Sequence, residues 1–477
     1  MHTERRILIN TVMLSAGEGV GQLTNFVVVI SLARAFGTAV LGQYSVSMAV
    51  GALAALLVGL GTQPLLIREI SRNRVASREL LGVLLPAQVI LGAVGWLLAC
   101  LLCLVLIGEP GALPVIAATA GYQILLRLAT TLLAPFQATE QMHASVAGQV
   151  FHRLLTLTLA LVAIAFDAAA GTVVLSLVAG AVFLIAYAWI AGSRRFGRPR
   201  LQWAPSKAGE MFRLASPFLG LTALGVIYAR GGLIMLSALA GSAAVGLYAV
   251  VDRFMVAAAL VPGVFNSAVY PALSRLADSA PADAQALAVR CLRLLAVATF
   301  PLATLIHIFA DDIVGLVFGT GFLSASAALR VLAWTLPIRG AQWLLGSQLA
   351  AMDRQAQMAK ARSIGLGAFL TLTPLLIIGG GITGLAWAVL ACDGLQFVLY
   401  WRLLLRMQFA LPLSRAVLPP ACAALGALVA DGLSVDLPLL SRVLVVTLVL
   451  AFGLWISGAI RRQDLGFLRA LLGARRT

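Results

Sequence analysis

The chain has 477 residues, of which 61% are hydrophobic and only 11% charged, and its formal net charge is +16. Few soluble domains could bury so much apolar surface, so the composition excludes most soluble enzymes and favours a protein that lies in lipid. The positive charge would suggest nucleic-acid binding in a soluble protein. Here arginines in loops facing an anionic membrane leaflet explain it better, and no nucleic-acid partner is expected.

About fourteen apolar segments follow one another along the chain, and most are long enough to cross a bilayer as helices. The eleventh and thirteenth are the shortest, so twelve spans is the alternative count. We predict membrane helices at residues 7–33, 40–66, 80–107, 113–136, 147–166, 172–192, 214–239, 244–273, 294–318, 325–351, 363–378, 382–401, 416–431 and 440–460.

Lys and Arg concentrate in every second connection between these segments. Of the 34 basic residues, 26 lie in the connections and tails of one side, 2 lie on or at the edge of the other side (Arg34 and Arg442), and 6 lie further inside the predicted spans. This is the positive-inside pattern, and it predicts a multi-pass protein of the bacterial inner membrane with both termini cytoplasmic. Cys100 and Cys103 lie within a span without a His or Cys cluster, so no metal or cofactor is expected.

A repeat at an offset of 204 residues predicts the domain organisation. Gly37, Gly42 and Tyr44 recur as Gly241, Gly246 and Tyr248, and Ile70-Ser71-Arg72 recurs one residue out of step as Leu273-Ser274-Arg275. Six spans separate the copies, so both have the same orientation. We predict an all-α protein with two six-helix lobes related by a pseudo-two-fold axis along the membrane normal. The predicted domains are residues 1–192, a basic cytoplasmic linker at 193–213, residues 214–401, and two further helices with a basic tail at 402–477.

Charged residues inside the spans are the candidate functional residues, because each is costly in lipid and should face the bundle interior or water. Arginine suits an anionic head group, since its planar fork matches phosphate oxygens. The predicted substrate-binding residues are Arg127, Arg230, Arg339, Arg253 and Arg153. The predicted coupling or ion-pair residues are Glu18, Asp252, Asp393 and His307.

Each of these residues also has a structural interpretation. Arg153, like Arg330, could reach an interface, and His307 could be a hydrogen-bonded core histidine. Asp252 and Arg253 point about 100° apart on a helix, so they need not pair. Glu18 shares one helix face with Gln22 and Asn25, while its neighbouring glycines permit close helix packing. Prolines within or at the ends of spans predict kinks: Pro64, Pro135, Pro217, Pro262, Pro301, Pro337 and Pro374.

Short motifs in both halves resemble the Wzx-type flippases of polysaccharide repeat units. In the first half these are Leu32-Ala33-Arg34-Ala35-Phe36-Gly37, Gly42-Gln43-Tyr44, Gly59-Leu60-Gly61 and Ile67-Arg68-Glu69-Ile70. In the second half they are Tyr228-Ala229-Arg230, Ile234-Met235-Leu236, Val245-Gly246-Leu247-Tyr248, Asp252-Arg253 and Tyr270-Pro271-Ala272-Leu273-Ser274. The resemblance spans at least residues 7–400 and points to the multidrug/oligosaccharidyl-lipid/polysaccharide exporter superfamily.

This resemblance implies a two-lobed helical fold with a V-shaped cavity. It also implies alternating-access transport of an undecaprenyl-pyrophosphate-linked oligosaccharide to the periplasmic leaflet, for O-antigen, capsule or exopolysaccharide. The expected partners are this lipid-linked oligosaccharide, membrane lipids, and the polymerase and chain-length machinery. Two features depart from the family pattern: Gly232 stands where many relatives carry an acidic residue, and twelve spans are commoner than fourteen.

Other functions stay open at this stage. A cation-coupled drug or metabolite exporter and a lipid II flippase share the implied fold. A drug exporter for cations would want a net acidic interior. A membrane polymerase or ligase would need a sizeable periplasmic loop, and the connections are short, so we expect a transporter rather than an enzyme.

Overall fold

The computed structural model describes residues 2–409 and 411–459, and within these ranges the chain is helical, without a β-strand. The helices are α1 (His2–Gly59), α2 (Thr62–Arg72), α3 (Ser77–Ile107), α4 (Leu113–Ala138), α5 (Met142–Ala165), α6 (Ala170–Phe196), α7 (Pro205–Ala258), α8 (Leu260–Ser279), α9 (Pro281–Ile308), α10 (Ala310–Phe318), α11 (Ser326–Ala333), α12 (Thr335–Ala351), α13 (Gln355–Arg406), α14 (Leu413–Leu433) and α15 (Leu439–Ile456). The all-α prediction is confirmed. The basic tail predicted after the last span lies outside the described residues.

Three long helices are each divided by a single glycine. Gly37 in α1, Gly241 in α7 and Gly381 in α13 have positive φ values of 75°, 83° and 53°. Only glycine adopts such backbone angles without strain, so each is a reversal point of the kind predicted between successive spans. At Gly381 the reversal is tight, since a Cβ at Gly384 would lie 1.8 Å from the carbonyl oxygen of Leu376.

These breaks account for the number of membrane crossings. Eleven helical stretches of the described residues are long and apolar enough to cross a membrane. Three of them contain a glycine reversal and provide two crossings each. The total is therefore fourteen, as predicted. Side chains such as Leu97, Leu101 and Val105 of α3 are exposed and apolar, as expected of a surface in contact with lipid.

Further breaks precede prolines. The helix ends at Leu60-Gly61 before Pro64, at Ala259 before Pro262, and at Trp334 before Pro337. Proline lacks an N–H for the carbonyl four residues earlier, and its ring clashes with that carbonyl, so the break falls three or four residues upstream. The predicted kinks are found here, whereas Pro301 and Pro374 lie inside continuous helices.

The two copies of the glycine motif touch each other reciprocally. A Cβ at Gly42 would lie 1.8 Å from the carbonyl oxygen of Ser242, and one at Gly246 would lie 2.0 Å from that of Thr38. Residues 38 and 242 are equivalent in the repeat, as are 42 and 246. Such reciprocity characterises a two-fold contact, so the sequence repeat corresponds to a local pseudo-symmetry.

The contacts divide the chain into two compact units, Met1–Ala249 and Val250–Thr477. The second glycine motif therefore packs within the first unit. The predicted domain boundary, at the 193–213 linker, is based on the sequence repeat and not on this packing. The predicted domains therefore stay a prediction. Each unit has its own apolar core, with Ile70 and Leu273 of the repeat fully buried in the first and second core respectively.

The last two helices pack on α9. Ala427 of α14 and Val446 of α15 share an apolar cluster with Ile308 and Phe309. At one end of this contact, Arg442 Nε lies 2.5 Å from Asp431 Oδ1 and Nη2 lies 3.0 Å from Oδ2. The Arg442 guanidinium also lies 5.4 Å from the centre of the Phe309 ring, a cation–π contact. The pair fixes the turn between α14 and α15.

Candidate functional site

The predicted polar stripe of the first helix is present in α1. Glu18 and Gln22 lie one turn apart, and Gln22 Nε2 donates a hydrogen bond to Glu18 Oε1 at 3.2 Å. Asn25 follows on the same face. Its amide makes no hydrogen bond to any residue that the structure describes, so it is available to water or a ligand.

Arg153 of α5 pairs with this stripe. Its Nη1 donates to the carbonyl oxygen of Gly17 at 2.7 Å, and its Nη2 lies 3.4 Å from Glu18 Oε2. The guanidinium fits because Gly21 has no side chain: a Cβ there would lie 1.6 Å from Nη1. Gly17 likewise admits Val146, so the α1 glycines permit close packing and an ion pair together.

A cavity of about 140 Å³ opens beside this ion pair, and we call it the α1–α5 cavity. Tyr122 of α4 forms one wall, its ring stacked on that of His152 at 6.0 Å between centroids. His152 is only 3% exposed and packs against Gly180 of α6. The lining comprises Glu18, Gly21, Gln22, Thr24, Asn25, Val28, Met48, Tyr122, His152, Arg153, Thr156 and Leu177.

Arg127 of α4 occupies a different position in the first unit. Its guanidinium packs against Gly59, where a Cβ would lie 2.4 Å from Nε and 2.6 Å from Nη2. This is the point at which α1 ends. The guanidinium has no ion pair or hydrogen bond with any other residue in the described part of the chain. Arg127 is thus a half-buried cation without a protein counter-ion.

In the second unit, Arg339 of α12 pairs with Asp393 of α13. Nε lies 2.7 Å from Oδ2, and the Asp393 side chain is only 3% exposed. Gln342 Nε2 also donates to the Asp393 backbone carbonyl. The Asp393 carboxylate thus offsets the charge of Arg339 in this structure.

The remaining predicted residues have varied surroundings. Asp252 and Arg253, both partly buried, form no ion pair with each other or with another described residue, and Arg253 Nε is buried without a hydrogen-bond partner. Arg230 is also partly buried in α7 and has contacts of its own.

His307, in the last turn of α9, lies beside the break between α11 and α12. Its Nδ1 is 3.1 Å from the carbonyl oxygen of Arg330 and 3.2 Å from Nε1 of Trp334. The Trp334 N–H bonds to Val331 instead of continuing the helix, so the Arg330 carbonyl needs another donor. His307 thus has the surroundings of a hydrogen-bonded core histidine.

Several neighbours of these residues were not identified from the sequence. Tyr122 completes the α1–α5 cavity, Asp311 pairs with Arg330, and Asp431 pairs with Arg442. Asp311 and Asp431 each lie on the helix before that of the arginine, and the sequence does not indicate these pairings because they depend on helix packing. The described residues contain no group of three or more His, Cys, Asp or Glu side chains suited to a metal ion.

Comparison with known proteins identifies relatives of the chain. Residues 7–277 match the family described as "Polysaccharide biosynthesis protein". A probable low-salt glycan biosynthesis flippase from Haloferax volcanii, Agl15, is 33% identical over 95 residues, which is 20% of either chain. The match thus covers one fifth of that protein's length.

Solved structures show the same fold. The lipid II flippase MurJ in an inward closed conformation matches with a TM-score of 0.72 at 12% identity, over 94% of this chain and 98% of that one. An inward-facing multidrug transporter of the MATE family, in the MOP superfamily, matches with a TM-score of 0.61 at 15% identity, over 84% and 98%. These similarities confirm the predicted two-lobe transporter fold. Because the family match covers more than half of the sequence, the chain belongs to the polysaccharide biosynthesis protein family.

Proposed function

We propose that the protein is a flippase for undecaprenyl-pyrophosphate-linked oligosaccharide repeat units. It moves the glycan head group from the cytoplasmic to the periplasmic leaflet by alternating access, while the lipid tail stays in the bilayer. The family membership and the similarity to a glycan biosynthesis flippase support a lipid-linked glycan as the substrate. The product supplies a surface polysaccharide: O-antigen, capsule or exopolysaccharide.

The observation that carries this proposal is the unpaired Arg127. A charged side chain at membrane depth costs about 2.5–3.5 kcal/mol even on the lenient insertion scale. Structural arginines offset that cost with a carboxylate, as Arg339 does with Asp393. Arg127 has no such partner among the described residues. A diphosphate that reaches Arg127 would supply the missing negative charge, and its oxygens would accept hydrogen bonds from the planar guanidinium.

The predicted arginines differ in whether they have a protein counter-ion, and this difference suggests different roles. Arg127 has no protein counter-ion in the described structure, so we assign the first contact with the diphosphate to it. Arg253 of the second unit has none either, and its part in binding stays a prediction. Arg153 and Arg339 are neutralised by Glu18 and Asp393 and would serve mainly to hold helices together unless those pairs open during transport. Arg230 has contacts of its own, and its role in substrate binding stays a prediction.

The setting follows from the charge pattern of the sequence. We place the protein in the bacterial inner membrane with both termini in the cytoplasm, where the basic connections face an anionic leaflet. The polysaccharide polymerase and chain-length machinery would take up the product. Transport is either coupled to a proton or sodium gradient or driven downhill by polymerisation outside.

The direct test locates the lipid-linked oligosaccharide in a clean deletion strain. Intact repeat units should accumulate on the cytoplasmic face, with loss of surface polymer, and a plasmid copy should restore the polymer. Units that reach the periplasmic face without being polymerised would reject the flippase proposal and favour a step after translocation.

The same strain separates the related alternatives. A lipid II flippase predicts a lethal deletion with accumulation of the cell-wall precursor. A drug exporter predicts drug sensitivity with normal polymer. Our proposal predicts a viable strain with an unchanged drug profile and no surface polysaccharide.

A further inference from the structure

The α1–α5 cavity is close to electrically neutral. Glu18 and Arg153 lie 3.4 Å apart on one side of it and offset each other's charge. The other lining groups are amides, hydroxyls, an imidazole and apolar side chains. A phosphate site requires net positive charge. A metal site requires several carboxylate or carbonyl oxygens and no arginine that competes for them. The cavity thus favours a neutral ligand.

Its polar groups are arranged for hydroxyl groups. The amide of Asn25 and the hydroxyl of Tyr122 make no hydrogen bond within the described residues, and Gln22 has used only one of its amide hydrogens. Together these side chains of α1 and α4 offer both donors and acceptors to the cavity. The Tyr122 ring adds an apolar surface beside a polar tip. Unpaired amides in a concave site fit a ligand with many hydroxyls better than an apolar one.

The volume of the cavity indicates how much of that ligand it holds. Its volume is about 140 Å³. A single water needs about 10–15 Å³ by this measure, so the cavity has room for roughly ten waters, or for one pyranose ring of about a dozen non-hydrogen atoms. This volume matches a single sugar ring of a larger glycan.

We propose that the α1–α5 cavity is a subsite for one neutral sugar ring of the transported glycan. Asn25 and Gln22 hydrogen-bond the sugar hydroxyls, and the Glu18–Arg153 pair presents further acceptor and donor groups at the edge. The α1–α5 cavity thus recognises one sugar of the glycan, whereas Arg127 contacts the diphosphate. This inference rests on the proposed flippase function and adds the part of the substrate that sets its specificity.

The test uses purified protein in proteoliposomes and lipid-linked oligosaccharide extracted from the deletion strain. Initial transport rates are measured against substrate concentration. Asn25→Leu, which removes an amide that makes no hydrogen bond in the structure, should raise KM at least fivefold and leave kcat within twofold. Gln149→Met removes an amide from α5 outside the cavity lining and should leave both values unchanged.

A second measurement identifies the sugar as the ligand. The delipidated oligosaccharide, released by mild acid, should inhibit transport by the wild type and inhibit Asn25→Leu at least fivefold more weakly. If Asn25→Leu does not accumulate, Tyr122→Phe, which removes one hydroxyl, replaces it with the same expectation. An unchanged KM and unchanged inhibition in a transporting variant would overturn the subsite. A wild type that transports nothing would reject the flippase function, and this inference with it.

Discussion

The arginines inside the predicted spans differ in whether a carboxylate lies beside them. Arg153 and Arg339 each have a carboxylate within 3.4 Å or less, whereas Arg127 has none among the described residues. An unpaired cation in a membrane protein is tolerated when water or a ligand reaches it. The substitution of an arginine should therefore affect transport or folding according to its partner.

The first prediction concerns Arg127. Arg127→Ala should lower surface polysaccharide at least tenfold at an unchanged protein level, because the diphosphate loses a bidentate cation. Arg127→Lys should retain an intermediate amount, since a point charge replaces only part of the fork. Immunoblotting of the polymer, normalised to membrane-inserted protein, measures both. Arg330→Ala is the matched control, because its partner Asp311 is more than half exposed and stays hydrated. Normal polymer in Arg127→Ala would remove Arg127 from the binding site.

The second prediction concerns the Arg339–Asp393 pair. Arg339→Ala leaves a buried carboxylate without its partner, which costs about 3–5 kcal/mol in buried pairs. The detergent-solubilised variant should have a clearly lower melting temperature than the wild type. The double variant Arg339→Ala/Asp393→Ala should recover much of the loss, because no lone charge remains. A double variant as unstable as the single one would mean that other contacts dominate at this position.

The sequence identified the charged members of these sites but not their pairings. Glu18 and Arg153 stood out because charges are rare in apolar spans, although they are 135 residues apart and meet only through the packing of α1 on α5. Tyr122 gave no such signal, since tyrosine is common in membrane helices and its role depends on what its ring faces. Periodicity identifies the polar face of a helix, whereas the partner of that face requires the three-dimensional fold.

At the scale of helices, hydrophobic length was a reliable predictor. The span predicted at 113–136 is α4, Leu113–Ala138, and the span at 80–107 is α3, Ser77–Ile107. Breaks within spans were harder to predict. Pro337 interrupts its helix and Pro374 does not, because the outcome depends on which neighbours satisfy the freed carbonyl.

The third prediction concerns the reciprocal glycine contact. Gly42→Ala should sharply reduce the amount of folded protein, because its Cβ would meet the backbone of Ser242 at 1.8 Å, where no side chain can move aside. Gly246→Ala should have a similar effect through Thr38. Fluorescence-detected size-exclusion chromatography of tagged variants measures the folded fraction. Gly19→Ala is the control: nothing lies within 4 Å of its Cβ, so it should fold normally. Equal profiles for Gly19→Ala and Gly42→Ala would contradict the close contact.

At the scale of the whole molecule, the sequence repeat predicted the two-lobed fold, since equivalent glycines marked equivalent reversals. It did not predict that the second glycine motif packs within the first compact unit, up to Ala249. A repeat records which segments are equivalent, whereas the division into packed units depends on which surfaces bury each other.

The fourth prediction concerns topology. In a variant with the five cysteines replaced, Asp436→Cys, in the turn between α14 and α15, should react with a membrane-impermeant maleimide added to permeabilised outer membranes. Lys207→Cys, in the basic linker, should react only after the inner membrane is opened. Both side chains are exposed, so access to the reagent depends on the side of the membrane. Labelling of Lys207→Cys before the inner membrane is opened would reverse the proposed orientation.

The single-glycine reversals have a practical consequence for work with this protein. At Gly37, Gly241 and Gly381 the chain reverses without loop residues. An epitope, a reporter domain or a protease site therefore cannot be inserted there without disturbing the flanking helices. An insertion at any of these glycines would separate two helices that are joined directly to each other. Tags and fusions belong instead beside the exposed Trp203, just before α7, because the preceding backbone is bound to α3 by hydrogen bonds at Arg200 and Gln202.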